Sequence, residues 1–190
     1  MLIAGVDIET TGLLGPDGTP GDQRIVEVYA GFWDLTSRVR RGAYFSRINP
    51  LRSIAPAAQA VHKISIADLE GKPTWEDVGP DFRRAIEPAD LIVWHNGDGF
   101  DGPFIDGELK RIKQPVPNKP SFDTMLRGRC ATAMGTVPSL AQLCWSFGVP
   151  YDASAAHAAE YDVEVMMQAF FNGLDWGHFK LEAPATAIAA

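Results

Sequence analysis

Leu2-Ile3-Ala4-Gly5-Val6-Asp7-Ile8-Glu9-Thr10-Thr11-Gly12-Leu13 is the stretch from which the rest of this chain can be read. Residues 2–9 have the apolar content of a buried strand. Side chains alternate along a strand, so Val6 and Ile8 point to one face and Asp7 and Glu9 to the other. Two carboxylates side by side on one face repel each other unless something positive lies between them. A divalent cation with a taste for oxygen ligands is the usual solution. The competing reading, a strand end with solvated acids, stays open on these two residues alone.

Outward from this strand, residues 15–22 hold five Gly or Pro in eight positions and read as a turn-rich loop. Residues 24–35 and 42–48 read as two more strands, joined closely enough to pair as a hairpin. Helical patterning follows over 55–61. It resumes after Thr74, where Trp75, Val78, Phe82 and Ile86 share a face, and Pro80 predicts a kink or a late start there. A short buried strand over 89–95, a helix over 102–112 and a last strand over 121–124 come next. Ser139-Leu140-Ala141-Gln142 fits a capping box opening a helix. The final helix is expected over 157–172, with Val163, Met166, Met167, Phe170 and Phe171 inward. The order of elements predicts one mixed α/β domain, antiparallel in its first half and flanked by helices, over 1–175, with 176–190 as a frayed tail.

Composition narrows the function classes. Of 190 residues, 46% are hydrophobic and 22% charged, ordinary for a globular domain large enough to bury a core. No apolar run is long enough to span a membrane, and no basic region followed by an apolar stretch marks a signal peptide, so an intracellular, cytoplasmic setting is expected. Two cysteines, Cys130 and Cys144, are too few for a disulfide scaffold or a zinc finger. A net charge of −7 argues against a protein that coats nucleic acid, but leaves room for an enzyme that grips a few phosphates locally. Basic residues cluster at Arg38, Arg40, Arg41, Arg47 and Arg52, and again at Lys110, Arg111 and Lys113. Each cluster is either a phosphate-contacting rim or a solvated surface.

Three further patches complete a constellation. His95-Asn96-Gly97-Asp98-Gly99-Phe100-Asp101 follows the 89–95 strand directly. Asp123-Thr124 ends the last strand, where Asp123 is expected to cap or orient structure rather than bind metal. His157-Ala158-Ala159-Glu160-Tyr161-Asp162 opens the last helix. Five residues put His157 and Asp162 on different helical faces, so His157 is expected in the loop just before the helix, placed to swing over a site that Asp162 helps to build.

Together, Asp7-x-Glu9-Thr10-Thr11-Gly12-Leu13, His95-Asn96…Phe100-Asp101 and His157-x-Ala159-x-x-Asp162 resemble the three motifs of the DEDD exonuclease superfamily, in the subgroup with a catalytic histidine. The likeness is strongest to the epsilon-type proofreading exonucleases of bacterial DNA polymerase III. Secondary likenesses lie at Arg24-Ile25-Val26-Glu27-Val28, Val61-His62-Lys63-Ile64, Phe122-Asp123-Thr124 and 139–144. The second motif carries one residue more than the family pattern, which makes Asp98 a rival of Asp101. Asp101 is preferred because Phe100-Asp101-x-x-Phe104 keeps the local pattern.

The resemblance implies a ribonuclease H-like fold and two divalent cations, Mg²⁺ or Mn²⁺, held by Asp7, Glu9, Asp101 and Asp162. Asp7 would bridge both, and His157 would be the general base. It implies that Thr10, Leu13 and His62 meet the terminal nucleotide. Loop packing for Leu13 and a surface helix-end position for His62 are the alternatives. The activity implied is 3′–5′ hydrolysis of single-stranded or frayed DNA ends to nucleoside 5′-monophosphates. Two other readings stand beside it: a 3′–5′ exoribonuclease of the RNase T or oligoribonuclease type, and a catalytically silent module serving a DNA polymerase or repair partner.

Overall fold

The computed structural model describes residues 1–181. Five strands form one sheet in the order β3-β2-β1-β4-β5. They are β1 (Leu2–Thr10), β2 (Ile25–Asp34), β3 (Arg40–Arg47), β4 (Leu91–Trp94) and β5 (Ser121–Asp123). β1–β2 and β2–β3 are antiparallel, whereas β4 joins β1 and β5 joins β4 in parallel. The mixed sheet expected from the order of elements is therefore present, with the antiparallel half first, and it is the ribonuclease H-like sheet that the resemblance implied.

β1 lies in the middle, and its two faces feed two cores. Ala4, Val6 and Ile8 face α3 (Trp75–Ile86) and α4 (Asp101–Arg111), together with Val28, Ala30 and Ile92. Ile3, with Tyr29, Trp33, Val93 and Phe122, faces α6 (Leu140–Ser146) and α7 (Ala159–Asp175). α1 (Pro56–His62), α2 (Ile66–Leu69) and α5 (Thr124–Arg127) are short connectors. Gly5 decides how closely α7 approaches: a Cβ there would stand 2.8 Å from both Val163 Cγ1 and Met167 Cγ. The missing side chain lets α7 lie directly on the strand that carries Asp7 and Glu9.

Local chemistry sets most helix starts. Asp77 accepts from both the backbone N–H and the hydroxyl of Thr74, so α3 starts at Trp75 rather than late and runs through Pro80. Ser139 and Gln142 close the expected capping box. α7 differs. It starts two residues later than expected, runs to Asp175, and has no side-chain cap from its own N-cap residue, Ala158. The first N–H of the helix, on Ala159, reaches instead to Glu27 Oε1 on β2, at 3.4 Å.

Residues 176–181 do not behave as the start of a tail. The amides of His178 and Phe179 both bond to the Gly173 carbonyl. That fold-back buries the Phe179 ring among Phe122, Phe147 and Phe170. The remainder of the expected tail, from 182 on, lies outside the described residues.

Candidate active site

The carboxyl ends of β1 and β4 lie side by side, the place where α/β sheets present ligand sites. Asp7 and Glu9 stand there on the α7 face, partly exposed. A break in the β1–β2 register between Glu9 and Thr10 ends the regular ladder at this point.

Asp101, the first residue of α4, is buried, and its Oδ1 accepts the N–H of Ile8 at 3.1 Å. Ile8 is the residue between Asp7 and Glu9, so the third acid is fastened directly to the pair. Asp98 turns elsewhere. It accepts the Trp94 indole N–H at 2.9 Å and the Ser121 hydroxyl at 2.7 Å. Asp123 accepts four backbone amides, those of Asn96, Asp98, Met125 and Leu126. It thereby caps α5 and shapes the turn that delivers α4. Asn96 in that turn has φ 68°, a left-handed conformation that Asn tolerates.

Asp162 arrives from the first turns of α7. Its Oδ2 accepts the His157 N–H at 3.0 Å, and its Oδ1 is buried without a hydrogen-bond partner. His157 precedes the helix, exposed, with φ 63°. The Asp162 bond helps to hold it in this sparsely populated conformation.

Asp7 and Glu9 feel the acids around them. Burial, then the charges of Asp101, Glu9, Asp162 and Glu27, raise the Asp7 carboxyl well above the usual range. Burial, then Asp162, Glu27 and Asp101, push Glu9 up to about 9. Burial lifts Asp101 to about 7 against the amide bonds it accepts, and burial raises Asp162 against the pull of His157. Among the described residues, no three His, Cys, Asp or Glu side chains stand close enough to hold a metal ion as they are. The donor set nonetheless fits a hard cation: oxygen ligands, partly desolvated, of one sign, with one carboxylate oxygen orphaned.

The three residues expected at the nucleotide differ in what they offer. Leu13 is 79% exposed, so it is not consumed by loop packing. Thr10 is buried and its hydroxyl donates to the Gly12 carbonyl at 2.7 Å. His62 is 6% exposed, not a surface residue. Its Nδ1 accepts the Ile64 N–H at 3.0 Å, which leaves the proton on Nε2 to bond the Thr10 carbonyl at 3.2 Å. Both ring nitrogens are thus occupied within the protein.

Glu27 was not foreseen as part of this region. It is buried, sits opposite Glu9 in the β1–β2 register, and pairs with Arg47. Alternation from Tyr29, the register partner of Asp7, would have placed it on this face. A cavity of about 470 Å³ lined by Arg24, Arg52, Glu108 and Arg111 lies toward the α3–α4 core instead, and Glu108 already pairs with two of its arginines.

This mixed sheet with helices on both faces, and with carboxylates at the carboxyl ends of β1 and β4, has the ribonuclease H-like fold. The chain belongs to the exonuclease family, whose model matches residues 5–170. It is 32% identical over 172 residues to the DNA polymerase III subunit epsilon of Treponema pallidum, covering 86% of this chain and 72% of that one. It is 28% identical over 170 residues to the epsilon subunit of Escherichia coli, covering 87% and 68%. Among solved structures it superposes on exonuclease X in complex with 5′ overhanging duplex DNA, with a TM-score of 0.67, 22% identity and 94% of each chain covered. It also superposes on E. coli exonuclease I in complex with a dT13 oligonucleotide, with a TM-score of 0.75 and 16% identity; 90% of this chain covers 40% of that one. No helix among the described residues is long and apolar enough to cross a membrane.

Proposed function

We propose that this chain is a metal-dependent 3′–5′ exonuclease that removes nucleoside 5′-monophosphates from single-stranded or frayed DNA ends. The observation that carries the reading is the Asp101–Ile8 bond, which fastens an acid from 93 positions away between Asp7 and Glu9. Two Mg²⁺ or Mn²⁺ ions held by Asp7, Glu9, Asp101 and Asp162 would neutralise charge on the phosphate and acidify a water. Burial first, and the neighbouring carboxylate charges second, raise the proton affinities of Asp7 and Glu9 in the free protein, and a bound cation would offset both.

The chain's own residues do the rest. His157, at the rim and linked through its N–H to Asp162, takes the proton from the attacking water. Leu13 projects where it can meet the terminal base, and His62 acts behind it by fixing the Thr10 carbonyl. Paired duplex ends are poorer substrates, because the terminal nucleotide must unstack to enter. Work alongside a polymerase extends the same reading, since relatives of this chain are named as polymerase subunits.

The test is digestion of matched 3′-labelled and 5′-labelled DNA and RNA oligomers with Mg²⁺, Mn²⁺ or EDTA. Stepwise shortening of 5′-labelled DNA, abolished by EDTA, is expected. Preference for RNA would move the assignment to the exoribonuclease type. No cleavage with any cation would leave a binding module.

A further inference from the structure

Three side chains lie in a row across β1, β2 and β3 beside the acidic cleft. Glu9 is the register partner of Glu27, and Glu27 is the register partner of Arg47. Neighbouring strands are about 5 Å apart, so Glu27 stands one strand and Arg47 two strands from Glu9. Glu27 is 4% exposed, and a buried carboxylate at that depth needs a purpose for each oxygen. Oε2 takes the Arg47 Nε–H at 2.9 Å. Oε1 faces the Ala159 N–H at 3.4 Å, the amide that opens α7 and that no side chain of α7 caps. Three residues on, the same helix carries Asp162.

We propose that Glu27 and Arg47 act as a positioning pair for the acidic cleft. Glu27 ties the start of α7, and so Asp162, to the sheet. Arg47 offsets the Glu27 charge so that it does not act unopposed on Glu9. Neither residue is a ligand. This rests on the cation-binding reading above and adds a direction to it. A cation in the cleft senses the nearer, buried Glu27 more strongly than the farther, half-exposed Arg47, and removing one or the other shifts affinity in opposite senses. A residue that only held the fold together would lower affinity whichever partner was removed.

Calorimetric titration of the full chain with Mn²⁺ decides this, with thermal melts in EDTA reporting folding separately. Arg47→Met, which exposes the Glu27 charge, is expected to tighten Mn²⁺ binding by about 3-fold. Glu27→Gln, which removes the nearer charge and leaves Arg47 unopposed, is expected to weaken it by about 3- to 10-fold. The double variant Glu27→Gln/Arg47→Met should lie between the two single variants, and Arg47→Lys should keep wild-type affinity. If Glu27→Gln fails to fold, tightening by Arg47→Met still tests the proposal. Shifts of the same sign in both single variants, or none, overturn the pair's role while leaving the nuclease reading intact. Loss of more than 100-fold in Glu27→Gln with a wild-type melt would make Glu27 a ligand and also overturn it. A wild-type chain that binds no Mn²⁺ overturns the proposed function and this inference together.

Discussion

Gly5→Ala adds one methyl group to the centre of β1 and tests whether the spacing between α7 and β1 governs the site. The new Cβ would lie 2.8 Å from Val163 Cγ1 and from Met167 Cγ. Met167 is unbranched and can swing aside. Val163 is fully buried, and a β-branched side chain in a helix has one strongly preferred rotamer, so it cannot. Ordinary contact begins at 3.4 Å, so α7 must retreat by about 0.6 Å, the difference between 3.4 and 2.8 Å. Overpacking of this kind costs about 1–3 kcal/mol, and the lower chain entropy of alanine returns about 0.4–1. A net loss of about 0.5–2 kcal/mol lowers Tm by about 2–6 °C in a domain of this size. Asp162 is adjacent to Val163, so it withdraws with the helix. A 1 Å misplacement costs about 100-fold in rate, which makes about 10-fold reasonable here. Calorimetry and single-turnover digestion of 5′-labelled single-stranded DNA measure the two effects. Val163→Ala in the Gly5→Ala background should restore much of the rate without restoring stability. Wild-type Tm and rate in Gly5→Ala, or no recovery of rate in the double variant, would refute the reasoning.

Asp7→Ala should leave the melt intact and remove nearly all activity; digestion at the wild-type rate by the folded variant would dismiss the two-cation assignment. Asp101→Asn should cost far more rate than Asp98→Asn, whose side chain serves Trp94 and Ser121, and the reverse ranking in a paired assay would reassign the second motif. The carboxyls of Glu9 and Asp101 sit at about 9 and about 7 in the folded chain against ordinary values of 4.5 and 3.8. Their contribution to stability is therefore full below about pH 4 and is lost as pH rises through 7 to 9. Tm in EDTA should fall across that window and fall less with saturating Mn²⁺; equal slopes with and without the cation would count against a shared site. His157→Gln should lose about 10²–10⁴-fold in single-turnover rate and lose the rise of rate with pH, and an unchanged profile would remove His157 from the mechanism.

What could be read in advance divides by the range of the interactions concerned. Alternation in β1 and the Ser139–Gln142 capping pair are local, and they set those elements without help from the rest of the fold; the Thr74–Asp77 pair is as local, but Pro80 drew the expectation toward a kink or a late start. The joining of β1 to β4 in parallel links residues nearly 90 positions apart, and only the order of elements hinted at it. α2 is four residues long and rests on a Ser65–Asp68 box too short to show as periodicity. Phe179 looked like part of a tail because its partners, Phe122 and Phe147, come from distant segments. For His62 a surface position stayed open beside a nucleotide contact, because its place at the end of α1 says nothing of the Thr10 carbonyl waiting beside it. At the cleft, residue types and order could be listed from the motifs. Their fastening, through Ile8, Glu27 and the amide of His157, belongs to backbone groups that a sequence pattern does not display.

The strand order also has a consequence for synthesis. β1, β2 and β3 all lie within the first 47 residues and pair as neighbours, so a growing chain can form that meander early. Its α7-facing side, with Ile3, Tyr29 and Trp33 beside Asp7 and Glu9, then waits for a helix that ends at Asp175. Until nearly the whole domain has left the ribosome, that apolar surface has no cover, and the acids from positions 7, 9, 101 and 162 cannot meet. Slow closure of such distant contacts exposes the half-made domain to aggregation. It also means that the proposed site cannot form on a nascent chain that stops short of α7.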